Sequence, residues 1–266
     1  MYPKLLDLGP IALNTYGLLL ALAFLSGLWL TGRFGRQDGV AEDTIWNIGL
    51  LITVCGLVGS KLLMLLTEWD FYKKYPSAIF SLSTLKSGGV YYGGLLLSLA
   101  ACAWYFNYKR LPVWKIADLF APGVTLGHAI GRVGCFMAGC CFGQETGAPW
   151  AVVFTSALAH EQTGVPLGRA LHPTQLYEAA AEALIFSILL WMRRRKTFDG
   201  QVVLIYLLLY AITRFSIEYF RADDRGTVFG GLLSTSQFIS WLIFPAAIIG
   251  LIVRSRFRRS PAAVPS

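Results

Sequence analysis

Arg132 and Arg214 of this 266-residue chain fall inside long apolar runs, and Lys61 is a third cation so placed. A Lys or Arg at the centre of a bilayer costs about 2.5–3.5 kcal/mol on insertion scales. Such residues therefore face a polar cavity and pair with something. Around Arg132 the chain reads Gly127-His128-Ala129-Ile130-Gly131-Arg132-Val133-Gly134-Cys135. His128 and Arg132 are four residues apart and share a helix face, with Cys135 one turn on. The glycines at 127, 131 and 134 leave room beside that face, as a bulky anionic headgroup requires. Arg is preferred to Lys for bidentate contact with phosphate. Around Arg214 the chain reads Arg214-Phe215-Ser216-Ile217-Glu218-Tyr219-Phe220-Arg221. Arg214, Glu218 and Arg221 form a charge ladder, in which an Arg–Glu pair lowers the cost of burying either charge. A third polar segment is His172-Pro173-Thr174-Gln175-Leu176-Tyr177-Glu178. Pro173 suits a helix start and Thr174 a cap. His172, Gln175 and Glu178 then lie near the membrane surface, where hydrogen-bonding or acid–base groups serve a headgroup reaction.

These residues need elements to hold them, and the composition says which. Hydrophobic residues make up 55% and charged residues 14%, against about 25% charged in soluble domains. A soluble chain of this length cannot hide so much apolar surface. Disorder, coiled coil, collagen and a small disulfide scaffold are excluded. Continuous rather than alternating apolar runs argue against a β-barrel. Seven stretches approach the ~20 residues that span a bilayer. They are roughly 14–32, 45–67, 88–107, 116–135, 175–192, 201–220 and 236–253. The expected fold is an all-α polytopic membrane protein of about seven transmembrane helices, a single integral membrane domain over 1–266. The first run is long enough to span and no small-residue cleavage site follows, so it is not read as a signal peptide. Gly56 and Gly59, and Gly123, Gly127 and Gly131, sit at helix-packing spacing.

Basic residues choose the orientation. One set of run ends holds Arg33, Arg36, Lys109, Arg110, Lys115, Arg193, Arg194, Arg195, Lys196, Arg254, Arg256, Arg258 and Arg259. The other holds Lys4, Lys73, Lys74, Lys86, Arg169, Arg221 and Arg225. Thirteen against seven places the N-terminus outside, in the periplasm, and the C-terminus in the cytoplasm, with a basic tail over 254–266. The net charge of +8 is then explained by topology and anionic lipid, not nucleic acid. Arg193 to Lys196 reads as a topology anchor, and the segment after Arg259 as a loose end. Segments 68–87 and 136–174 face outward, and the second is long enough to imply function.

Five cysteines are an odd count, which argues against a complete disulfide framework. Cys55 and Cys102 read as core. Cys135, Cys140 and Cys141 do not have a standard zinc spacing, so neither metal nor cofactor is expected. Intramembrane arginines also mark anion transporters. The chain shows no internal repeat and an odd number of runs, and its polar residues gather toward the outer ends. That pattern favours an enzyme acting on lipid headgroups.

The motifs together resemble the prolipoprotein diacylglyceryl transferase family of the bacterial inner membrane. The resemblance runs over almost the whole chain. It includes Asn14-Thr15-Tyr16-Gly17, Gly88-Gly89-Val90-Tyr91-Tyr92-Gly93-Gly94 and Gly131-Arg132-Val133-Gly134-Cys135-Phe136, followed by the two polar segments above. It implies transfer of the diacylglyceryl group of phosphatidylglycerol to the lipobox cysteine thiol of a prolipoprotein. Glycerol phosphate leaves and a thioether remains. Arg132 matches the family's phosphatidylglycerol-binding arginine and Arg214 a second essential arginine. Tyr16, Glu218 and Arg221 match further polar positions. Three positions depart: Tyr92 stands where many members have His, Cys135 where many have Asn, and Cys140 in a segment where many have an acidic residue. The alternatives are a paralogous headgroup transferase with another acceptor, or an anion or lipid transporter.

The reaction must deprotonate a thiol of pKa near 8.5 and stabilise a leaving phosphate. Arg132 and Arg214 suit the second task. His128, His172, Glu218 and Tyr92 are the candidates for the first. The expected catalytic set is Arg132, Arg214, His128, Tyr92 and Glu218. The expected phosphatidylglycerol contacts are Arg132, Tyr16, Cys135, His172, Gln175 and Arg221.

Overall fold

The structure, a computed structural model, describes residues 4–7, 12–81, 84, 89–223 and 226–257. Lys86, Gly88, Arg225, Arg258, Arg259 and the C-terminal tail lie outside the described residues. Long helices coincide with all seven apolar runs: α1 (Thr15–Gln37), α2 (Glu42–Thr67), α4 (Tyr91–Lys109), α5 (Val113–Ala138), α7 (Thr174–Arg193), α8 (Gln201–Glu218) and α9 (Thr235–Phe257). Two short helices, α3 (Trp69–Lys74) and α6 (Ala157–Thr163), lie in the connecting segments. Among the described residues α1, α2, α7, α8 and α9 (through Arg256) are long and apolar enough to cross a membrane. Their outward faces carry exposed Trp29, Leu50, Leu57, Leu184 and Ile249, an apolar surface that only lipid or another protein covers well. This is a polytopic helical membrane protein.

The chain divides into two compact units, one of residues 1–31 and 117–266, the other of residues 32–116. In the second unit α2 and α4 pack antiparallel. Gly59 meets the Gly93 backbone, and Gly94 meets that of Gly56, so closely that a Cβ at either contact would strike a carbonyl. Small residues let backbones approach where lipid supplies no hydrophobic drive. Ser98 Oγ closes the same seam on the Ile52 carbonyl (3.2 Å). Lys61 donates to the Thr84 carbonyl (2.6 Å), a local contact rather than an anion site.

In the first unit the α1–α5 seam works likewise, with Gly27 on Gly123 and Gly127 on the Ala23 carbonyl. This corrects the expectation that the three glycines beside Arg132 all leave room. Gly127 is consumed by helix packing, and Gly134 lies against Leu19 and Tyr16. Gly131 alone of the three opens on space.

The N-terminus of α8 is anchored by a residue from α5. Asp118, 2% exposed, accepts from the amides of Gly200 and Val203, both at 2.9 Å. It thus satisfies donors that a helix start leaves without partners, and places a negative charge at the positive end of the dipole. Lys196 pairs with Asp118 (3.3 Å) and Asp199 (3.0 Å). The Arg193 to Lys196 run is therefore more than a topology anchor.

The segment 136–174 is a small folded piece. β1 (Val152–Val153) pairs antiparallel with β2 (Ala170–Leu171), and α6 sits between them in sequence. Phe154, Ala159, Val165 and Leu171 form its core, with Phe136 and Phe142 against it.

Candidate active site

Helices α5, α7 and α8, with the residues just past the end of α8, bring three guanidiniums onto one carboxylate. Glu178, in the second turn of α7, is 4% exposed. Its Oε1 accepts from Arg214 Nη1 (3.0 Å) and Arg221 Nη1 (3.1 Å). Its Oε2 forms an ion pair with Arg132 Nε. The Nε hydrogen itself points to His128 Nε2 (3.0 Å). His128 Nδ1 in turn lies 2.9 Å from Glu182 Oε1. Because His128 Nε2 accepts from Arg132, the ring proton sits on Nδ1, facing Glu182. The α7 carboxylates Glu178 and Glu182 thus hold Arg132 directly and through His128.

The three arginines differ in what they have left to offer. Arg221 is 6% exposed and has every nitrogen occupied: Nε and Nη2 on Asp223 (both 2.9 Å) and Nη1 on Glu178. Burial works against its charge, but Asp223 and Glu178 outweigh it and hold its proton more firmly than an ordinary arginine's. Arg214 is 5% exposed, with Nη1 on Glu178 and Nη2 on Ser236 Oγ (2.7 Å) and against Glu218 (2.6 Å). Glu218 also accepts from Ser234 Oγ (2.7 Å) and faces Arg221 at 3.8 Å, which is the ladder read from the i,i+4 and i,i+3 spacing. Arg132 hydrogen-bonds only through Nε; its two terminal amino groups make no hydrogen bond among the described residues. Beside this network a small crevice is lined by His128, Glu178, Glu182, Tyr210 and Arg214.

The remaining expected residues divide. Tyr16, in the first turn of α1, lies on Gly134 and within electrostatic reach of Arg132 and of Cys135, Cys140 and Cys141. Gln175 is fully buried, and its Nε2 donates to the Cys140 carbonyl (2.7 Å). It holds the turn after α5. His172 bonds Tyr177 Oη (3.0 Å) and stacks edge-on with Tyr177 and Phe220. Trp150 Nε1 reaches the same hydroxyl (2.7 Å). His172 therefore belongs to an aromatic cluster and touches none of the arginines. Tyr92 lies in the second unit, 45% exposed, with its ring on Tyr91.

Glu178 was legible only as a polar helix-start residue, and Glu182, Asp118 and Asp223 were missed. The signal existed for three of them. Glu178, Glu182 and Asp118 lie inside apolar runs, where an acid is as costly as a base. Cys135, Cys140 and Cys141, whose spacing is not a standard zinc pattern, have sulfurs within 4.8 Å of one another.

Comparison with known proteins gives a consistent result. A sequence model of the prolipoprotein diacylglyceryl transferase family matches residues 3–253. A phosphatidylglycerol–prolipoprotein diacylglyceryl transferase of Clostridium tetani is 34% identical over 261 residues, covering 97% of this chain and 100% of its own. The protein called phosphatidylglycerol–prolipoprotein diacylglyceryl transferase 2 of Clostridium perfringens is 34% identical over 242 residues, 90% of each chain. One from Finegoldia magna is 31% identical over 246 residues, covering 92% and 91%.

Proposed function

The chain belongs to the prolipoprotein diacylglyceryl transferase family, and on that premise we propose how its site works. The enzyme transfers the diacylglyceryl group of phosphatidylglycerol to a prolipoprotein. In our reading the acceptor is the lipobox cysteine, the product a thioether and the leaving group glycerol phosphate. All seven long helices cross the bacterial inner membrane, with the N-terminus and the site toward the periplasm and the C-terminus in the cytoplasm.

One observation carries the mechanism: Arg132 holds out two unoccupied amino groups from a side chain whose Nε is fixed on both sides. The phosphodiester of the lipid brings one negative charge to that end. As the carbon–oxygen bond to the glycerol breaks, the phosphate gains a second. The contact with Arg132 strengthens as that happens, so it stabilises the transition state more than the bound lipid. Arg214, engaged through both terminal amino groups, and Arg221, engaged through every nitrogen, act by holding Glu178 in place. Glu218, through Arg214, does the same at one remove. His128 orients Arg132, and its Nε2 lone pair is engaged there. Tyr16 and Cys135 flank the guanidinium. Lipid transport is not favoured, since the relatives are named as transferases.

The test is a reconstituted assay with phosphatidylglycerol and a lipobox peptide, read by mass spectrometry for the thioether adduct and for released glycerol phosphate. Arg132→Ala should lower turnover by about 10²–10³, the usual effect of removing one such donor group. Arg132→Lys, a point charge without the planar fork that matches two phosphate oxygens, should recover only part. Unchanged turnover in well-inserted Arg132→Ala sinks the phosphate role. No adduct from folded wild-type protein, across several peptides, sinks the reaction.

A further inference from the structure

Beside Arg132 the chain gathers three sulfurs. Cys135, in the last turn of α5, and Cys140 and Cys141, just beyond it, have Sγ atoms all within 4.8 Å of one another. The turn that achieves this is strained and clamped. Gly139 has φ 82° and Cys141 φ 63°, and the left-handed conformation is uncommon for a residue with a Cβ. From the start of α7, Thr174 Oγ1 donates to the Cys141 carbonyl and Gln175 Nε2 to the Cys140 carbonyl, both at 2.7 Å. Both clamping residues are fully buried. Cys140 Sγ reaches the Cys135 carbonyl at 3.7 Å. None of the three is in a disulfide. Three soft sulfur donors converging on one point are what a thiophilic cation requires, and a coordinating thiol is deprotonated outright.

We propose that Cys135, Cys140 and Cys141 bind one zinc ion through three thiolates and leave its fourth position to the thiol of the acceptor cysteine. Tetrahedral zinc with Zn–S near 2.3 Å sets its sulfurs about 3.8 Å apart, so a closure of about an ångström completes the site. Three protein ligands with one open position is the pattern of catalytic rather than structural zinc. The inference rests on the transferase reading above. It supplies a thiolate where His128, whose Nε2 faces Arg132, does not. Cys135 and Cys141 are within electrostatic reach of Arg132, so nucleophile and leaving phosphate are held side by side. On binding zinc, the acceptor thiol gives its proton to water. The sulfur then attacks the glycerol carbon, the S–C bond forms, and the C–O bond breaks with its electron pair going to phosphate. Glycerol phosphate departs. The product thioether is neutral, a weak ligand, and leaves the ion.

The whole protein, purified in detergent, is titrated with Co(II) as a spectroscopic stand-in for zinc. We expect one equivalent to bind with a thiolate charge-transfer band. A lipobox peptide should shift that band, and the same peptide with Ser for Cys should not. Cys135→Ser, Cys140→Ser and Cys141→Ser should lose the band, and Cys55→Ser should keep it. Because those variants can misfold, wild-type protein is also alkylated with and without Zn(II). Zinc should shield the three cysteines and leave Cys55 and Cys102 unchanged. Chelation should abolish transfer, and Zn(II) should restore it. Absence of metal uptake, equal alkylation with and without zinc, or a disulfide within the trio overturns the site. Full transfer by metal-free protein overturns it too and leaves the transferase reading standing. A peptide-shifted Co(II) band in protein that performs no transfer does the reverse.

Discussion

Glu178→Gln keeps the shape of the side chain and removes one negative charge from the centre of three guanidiniums. With contact atoms 3.0–3.1 Å apart for Arg214 and Arg221, charge centres lie about 4 Å apart. A unit pair at about 4 Å contributes about 4 kcal/mol at an effective dielectric of 20. Three such pairs set an upper bound near 12 kcal/mol. The net cost is smaller because Arg214 keeps Glu218 and Arg221 keeps Asp223. Removing one partner of a buried pair costs about 3–5 kcal/mol. At ~2–4 °C per kcal/mol for a protein of this size, Tm should fall by about 6–20 °C. The assay is thermal unfolding in one detergent at fixed lipid, with tryptophan fluorescence as readout. A double-mutant cycle with Arg221→Gln should show coupling of about 1–3 kcal/mol, the double costing less than the sum. A Tm for Glu178→Gln within ~2 °C of wild type would refute the claim that this carboxylate joins three helices.

Asp118→Ala leaves the amides of Gly200 and Val203 without an acceptor. At about 1–3 kcal/mol for each orphaned donor it should cost about 2–6 kcal/mol, and Asp118→Asn, which keeps an acceptor oxygen, clearly less. Equal unfolding temperatures for the two variants would contradict the capping role. Lys196 lies between α7 and α8; burial opposes its charge, but Asp199 and Asp118 outweigh it and raise its pKa above the ordinary 10.5. While Asp118 and Asp199 are ionised, its pairing is fully present below pH 10.5 and is lost as pH climbs past the raised value. Lys196→Met should flatten the alkaline limb of a Tm-against-pH curve, and an unchanged limb would remove Lys196 as its source.

The long helices were legible because each apolar run is close to a bilayer in length, and the costly cations at 132 and 214 pointed at the site. What could not be read was who would neutralise them. Periodicity shows that Glu178 and Glu182 share a face of α7, but not that the face turns toward Arg132 on α5. That pairing is tertiary. The same holds for His172, which spacing sets near Glu178 and which the fold gives to Tyr177, Phe220 and Trp150 instead. The sulfur cluster was hidden for another reason. It depends on a left-handed residue at 141 and on clamps from 33 and 35 residues along the chain, neither of which a ligand-spacing rule encodes.

The network also explains why a site with one phosphate contact should contain three arginines. Arg132, Arg214 and Arg221 face Glu178, Glu218 and Asp223, three charges against three. Were Glu178 alone with Arg132, its two oxygens would close on Nε and one terminal amino group, the preferred fork geometry, and fewer donors would remain for lipid. Arg214 and Arg221 occupy Oε1 and leave only Oε2 for Arg132 Nε. Competition among cations thus keeps the terminal amino groups of Arg132 available. It follows that Arg221→Gln should act on Arg132 from a distance. With one competitor gone, Glu178 turns toward Arg132, and the KM for phosphatidylglycerol should rise by roughly tenfold, about 1.4 kcal/mol of lost binding. Adding Glu178→Gln to Arg221→Gln should bring KM back toward wild type, since the intruding carboxylate is then neutral. Steady-state transfer kinetics against lipid in mixed micelles measure both. If the double variant binds lipid no better than the single one, Arg221 is itself a phosphate ligand and the division of labour argued from its occupied donors is wrong.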